Sequence, residues 1–147
     1  MSEHAAETRE GYRHLFEIPT RWMDNDVYGH VNNATYYSFF DTAVNHFLVD
    51  HGVLEIGTSP IIGIVAETLC RFHRSIAFPD VLEAGLRIAR IGNSSVRWEI
   101  GLFRRGDAEV AATGHFIHVY VERATMRPVP IPPAVREALA PLVIAAR

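Results

Sequence analysis

The sequence predicts a single α+β domain: a first strand, one long apolar helix, then about four further strands of antiparallel sheet. Three observations carry this. Residues 32–51 contain no Gly or Pro and repeat apolar side chains at helical spacing. From Ile61 onward the apolar period changes to two. Breaks rich in Gly, Pro, Asn and Asp separate the alternating runs.

Residues 1–11 are polar and read as disordered. A first strand is expected between Tyr12 and Trp22, where Phe16, Ile18 and Thr20 fall, and Pro19 assigns it to a sheet edge. The turn Asp24-Asn25-Asp26-Val27-Tyr28-Gly29 follows. The helix then places Tyr36, Phe40, Ala43 and Phe47 on one stripe, with Tyr37, Phe39, Val44 and Leu48 widening it. So broad an apolar arc predicts a largely buried helix. Asn32 or Asn33 suits its N-cap and Gly52 its stop. About 18 residues at ~1.5 Å each give ~27 Å, roughly the width of a small domain.

Ile61–Ala66 continues through Thr68, Cys70 and Phe72 as a long strand. Alternation predicts further strands at Leu82–Ile88 and Val96–Leu102, and a last one from Ala111 to Val121. Turns are expected at Phe78-Pro79-Asp80, Gly92-Asn93-Ser94 and Arg105-Gly106-Asp107. After the proline-rich stretch 127–133, Pro133 starts a short helix over 133–145. No repeat or linker divides residues 1–147. A curved sheet wrapped round the helix buries both apolar surfaces, and its open edge favours a dimer.

At net charge -3, the chain offers no electrostatic case for nucleic acid or an anionic membrane. A local basic patch still suits a phosphorylated ligand. One cysteine, Cys70, excludes an intrachain disulfide and agrees with a cytoplasmic setting. Its apolar strand context reads as a buried structural thiol. The N-terminus has no secretory pattern, and no run reaches the ~18 apolar residues of a membrane span. No dinucleotide loop, phosphate-binding loop or Gly-x-Ser-x-Gly elbow is present. Nor does any His/Cys spacing fit a metal. His115 and His118 face opposite sides of a strand, and His46 and His51 diverge on a helix. His4 and His14 read as surface residues.

The dense segment is Thr20 to Asn33, where two carboxylates precede the N-terminus of a buried helix. One reading is structural: Asp24 and Asp26 cap the turn and helix. The other is chemical. Free amides and the helix dipole polarise a carbonyl, and a carboxylate beside them attacks it or activates water.

The run Asp24-Asn25-Asp26-Val27-Tyr28-Gly29-His30-Val31-Asn32-Asn33-Ala34-Thr35-Tyr36 resembles the signature of hot-dog fold thioesterases. The branch is that of 4-hydroxybenzoyl-CoA thioesterase and the YbgC-like acyl-CoA thioesterases. Phe78-Pro79-Asp80-Val81-Leu82-Glu83, the Ile91–Ser95 turn and the Arg127–Pro130 tail continue the similarity from about Tyr12 to Leu142.

The resemblance implies a five-stranded antiparallel sheet round a long central helix. It implies hydrolysis of an acyl-CoA thioester to acid and coenzyme A, with no cofactor or metal. It makes Asp26 the nucleophile or general base and the Asn33 amide the oxyanion donor. Gly29 lets the backbone turn into the helix. YbgC-like members carry His in the slot of Asn33; here His30, three residues earlier, either assists proton transfer or holds the loop. Asn32 caps the helix or orients water, and Asp24 orders the loop. Tyr36 and Arg74 are assigned to substrate, Arg74 being chosen from Arg71, Arg74, Arg90, Arg104 and Arg105 for the coenzyme A phosphates. Asp41 is expected to pair with Arg71 or Arg74. Trp22, Tyr28, Tyr37 and Phe40 line an acyl pocket or pack the core. A homodimer or homotetramer with sites at the subunit interface is implied. Rival readings are an acyl carrier protein thioesterase, a hot-dog dehydratase or hydratase, and a non-catalytic acyl-CoA binder.

Overall fold

In the computed structural model, which describes residues 7–144, one antiparallel sheet packs on one face of a central helix. The strands are β1 (His14–Pro19), β2 (Ile61–Phe72), β3 (Val81–Ile91), β4 (Ser95–Arg104) and β5 (Ala112–Glu122). Their order is β1-β3-β4-β5-β2, so β1, with its Pro19, and the long β2 are the edges. The helix α1 (Asn33–Asp50) has 18 residues, and α2 (Pro133–Leu139) closes the chain. None of the described helices is long and apolar enough to cross a membrane.

Tyr36, Phe39, Phe40, Ala43, Val44, Phe47 and Leu48 bury one face of α1 against the inner sheet residues, among them Leu86, Ile88, Trp98, Ile100 and Phe116. The sheet does not enclose the helix all round, as its apolar arc led us to expect. Ser38, Asp41, Thr42, His46 and Val49 remain exposed, because polar residues interrupt the opposite side. Gly114 is what lets the helix seat so closely. A Cβ there would lie 2.4 Å from the Leu69 carbonyl oxygen and 2.5 Å from the Phe40 ring.

Three local expectations change. The first strand is shorter than Tyr12–Trp22, because Trp22–Asp24 coils into a 3-10 turn. Of the segment read as disordered, residues 1–6, with His4, lie outside the described residues. Arg9–Gly11 is an ordered 3-10 turn: Arg9 pairs with Glu83 at 2.7 Å and lies over the Phe103 ring. The C-terminal helix ends at Leu139 and tightens into a 3-10 turn at Ala140–Leu142. Pro141 cannot supply the next helical N–H. Position 145 lies outside the described residues.

Candidate active site

The site loop is ordered by Asp24. This carboxylate is 2% exposed, and both its oxygens are bonded to Arg21, Oδ2 to the backbone N–H at 2.7 Å and Oδ1 to the guanidinium at 2.9 Å. These bonds hold Asp24 within the 3-10 turn that begins the loop. Asn25 ties the loop to the segment after β2, its Oδ1 accepting the Phe78 N–H at 2.9 Å. Val31 adds a second tie, donating its N–H to the Ile76 carbonyl at 2.7 Å.

Asp26 opens a tight turn. Its N–H donates to the His30 carbonyl at 2.8 Å, and its carbonyl accepts from Gly29 at 3.1 Å. Gly29 sits at φ +84°, in the left-handed region that favours glycine. Asp26 Oδ1 accepts the Tyr28 N–H at 2.8 Å; Oδ2 has no partner among the described residues.

Asn32 then caps α1. Its Oδ1 accepts the Ala34 N–H at 2.9 Å, and its carbonyl accepts from Thr35 at 2.9 Å. The Asn33 N–H has no acceptor among the described residues. This amide lies at the positive end of the helix dipole.

His30, Asn33, Tyr36 and Arg74 line one pocket of about 260 Å³, together with Val31, Phe72, His73 and Ser75. Four of the seven residues singled out from sequence therefore converge. Gly29, Asn32 and Asp26 belong to the same loop but not to the pocket wall; Asp26 is tied to it through its N–H bond to the carbonyl of His30, which lines the pocket. Burial pushes the Tyr36 hydroxyl up to about 12, so it stays protonated at neutral pH. Its ring meets Phe72 edge-on at 4.8 Å.

Sequence reasoning missed Phe72, His73 and Ser75. They enter because the C-terminal end of β2 meets the N-terminus of α1, a tertiary juxtaposition with no local signal. His73 Nε2 is hydrogen-bonded to Thr113 Oγ1 at 2.9 Å.

Other expectations are redistributed. Asp41 pairs with no arginine among the described residues; partial burial alone raises its pKa. Arg74 is paired with Glu109 instead. Arg104 is bonded to Asp107 at 3.1 Å and Arg105 is paired with Glu17. Arg71 lies in a small polar cleft with Arg87 and Glu99, lined by different residues from this pocket. Phe40 is core, whereas Trp22 and Tyr28 are exposed. Cys70 is half-buried, which pushes its thiol up to about 12 and makes it a poor nucleophile. His14 is half-buried, its ring edge-on to Phe47 at 5.2 Å. His115 bonds Glu67 while His118 faces the core, and no metal-binding cluster occurs among the described residues.

A larger cavity, about 640 Å³, lies at the far end of α1 between Phe47, His51 and Leu142. It is lined by no residue of the Asp24–Asn33 loop, so the smaller pocket is the candidate.

The model of the thioesterase-like superfamily matches residues 20–139. The chain belongs to this superfamily. Its chemistry is thioester hydrolysis, and the five-stranded antiparallel sheet with its central helix is consistent with the hot-dog fold. The PA5185 protein of Pseudomonas aeruginosa strain PAO1 is 52% identical, with TM-score 0.92, over 95% of this chain and 98% of that one. The PA2801 protein of the same species, a candidate thioesterase, is 29% identical, with TM-score 0.81, over 86% and 98%. BH1999, a gentisyl-coenzyme A thioesterase, is 26% identical, with TM-score 0.77, over 86% and 99%. No curated protein matches the chain.

Proposed function

We propose that this protein hydrolyses an acyl-CoA thioester to a carboxylic acid and coenzyme A, without metal or redox cofactor. The observation that carries the reading is the unpartnered Asn33 amide in the pocket wall, next to the Asp26 turn. A thioester carbonyl placed there directs its oxygen at the amide. Asp26 takes a proton from water as the water oxygen bonds the carbonyl carbon, or attacks that carbon itself. The negative charge that develops on the carbonyl oxygen faces the N–H. The C–S bond then breaks, its electron pair passes to sulfur, and the thiolate takes up a proton. In the direct-attack route, water afterwards cleaves the acyl–Asp26 anhydride.

The pocket suits a phosphorylated carrier, of which coenzyme A is the one we propose. The pocket wall holds His30, His73 and Arg74 and no carboxylate among the described residues. The gentisyl-coenzyme A thioesterase relative supports the same choice. A homodimer or homotetramer fits the apolar surface beside the site, where Val27 is 94% and Tyr28 81% exposed, and the free edge β2.

The test is thiol release from a panel of acyl-CoAs by wild type and Asp26→Asn. Asparagine keeps an oxygen for the Tyr28 N–H, so the turn persists while the carboxylate is lost. We expect release by wild type and a loss of at least about 100-fold in the variant. Full activity in Asp26→Asn refutes the role of Asp26, and absence of release by wild type refutes the substrate class.

A further inference from the structure

Arg74 does not wait in the pocket with its charge free. Its guanidinium is paired with Glu109, which lies in the β4–β5 connection outside the pocket wall. The pairing is built by the backbone. The Ala111 carbonyl accepts both the His73 N–H at 2.8 Å and the Arg74 N–H at 3.0 Å, and the Ala111 N–H donates to Leu102 at 2.7 Å. Ala111 thus anchors the chain after β2 to the chain before β5, and Glu109, two residues earlier, is delivered to Arg74.

We propose that Glu109 is a displaceable counter-ion, which holds Arg74 at the pocket mouth until a phosphate of the substrate replaces it. The inference rests on the acyl-CoA reading above and names how that site selects a phosphorylated carrier. Both side chains are about half exposed, 48% for Arg74 and 57% for Glu109, and exposed ion pairs bind weakly. A phosphate monoester carries up to about two negative charges and three acceptor oxygens, and guanidinium binds it in a bidentate fork. Phosphate therefore outcompetes one carboxylate for Arg74. Without a phosphate, the carboxylate keeps its place, so a thioester lacking the nucleotide gains nothing from Arg74.

The experiment compares an acyl-CoA with the N-acetylcysteamine thioester of the same acyl group, on wild type, Glu109→Gln, Arg74→Ala and the double variant. Free coenzyme A is titrated against each protein in parallel. Glu109→Gln should lower KM for the acyl-CoA, and Kd for coenzyme A, by about two- to fivefold. Arg74→Ala should raise both about tenfold. Glu109→Gln should not change KM for the N-acetylcysteamine thioester, and it should have no effect in the Arg74→Ala background. An unchanged coenzyme A Kd in Glu109→Gln overturns the proposal, as does an equal shift for both thioesters or persistence of its effect without Arg74. The acyl-CoA reading fails separately, if wild type releases no thiol. The counter-ion then stands or falls on the coenzyme A titration alone.

Discussion

Asn32 Oδ1 accepts the backbone N–H of Ala34 at 2.9 Å, and the amide between them, that of Asn33, has no acceptor among the described residues. The cap thus satisfies one amide at the start of α1 and leaves without an acceptor that of Asn33, a residue of the pocket wall. In the proposed mechanism only the main chain of Asn33 is used.

That separates two substitutions at one position. Asn33→Ala keeps the amide and should retain kcat within about threefold. Asn33→Pro removes it, and the first position of a helix accepts proline. Asn32 already has φ -59° and ψ 138°, the extended geometry that a following proline requires. We therefore expect a folded Asn33→Pro protein with kcat reduced about 100- to 1000-fold. Steady-state thiol release and far-ultraviolet circular dichroism check the two halves. Equal activity in both variants would remove the amide from the mechanism.

Asn32 itself should act through stability and alignment. Asn32→Ala loses the Oδ1 bond to Ala34, at a cost of about 1 kcal/mol. Asn32→Ser, with a shorter acceptor, should recover most of it. Urea unfolding midpoints measure the ranking, and an Asn32→Ala midpoint equal to wild type would show that the cap contributes nothing.

The helix, four of the strands and the loop before α1 were legible because each has a local cause. Tyr36, Phe40 and Phe47 repeat at helical period, Leu82 to Ile88 alternate, and Gly29 needs a left-handed turn. What was illegible is what distance in sequence conceals. His73 joins Asn33 only because β2 ends beside the start of α1. Glu109 reaches Arg74 only through Ala111. The disorder expected for 9–11 failed because Arg9 finds Glu83 and Phe103, and Tyr12 fits a slot left by Gly85 and Gly101. A Cβ on either glycine would come within 2.6 Å of its ring. No pattern within the first eleven residues announces those partners.

Gly114 should tolerate no side chain. The atoms nearest a new Cβ are a strand carbonyl and the buried Phe40 ring, and neither can retreat without separating β2 from β5 or lifting α1. Gly114→Ala should lower stability by about 1–3 kcal/mol or more. Gly106→Ala, in a turn at φ +90° with open space around it, reports backbone strain without a clash. Chemical denaturation of the two variants compares these costs, and a smaller loss at 114 than at 106 would contradict the packing argument.

His118 gives the fold a defined acid sensitivity. Its ring is 2% exposed, lies between Phe116 and Tyr120, and rests against Gly63; Nδ1 has no hydrogen-bond partner among the described residues. Burial lowers its pKa from 6.5 to about 4. The native state therefore refuses a proton that the unfolded chain accepts. Stability from this residue is complete above about pH 6.5 and is lost as pH falls towards about 4, about 3 kcal/mol across the window. His118→Phe keeps an aromatic ring in the slot and removes the titration. Urea unfolding at pH 7 and pH 4.5 should show a fall in wild type that is smaller by about 2–3 kcal/mol in the variant. The same pH slope in both proteins would assign the acid sensitivity to other groups.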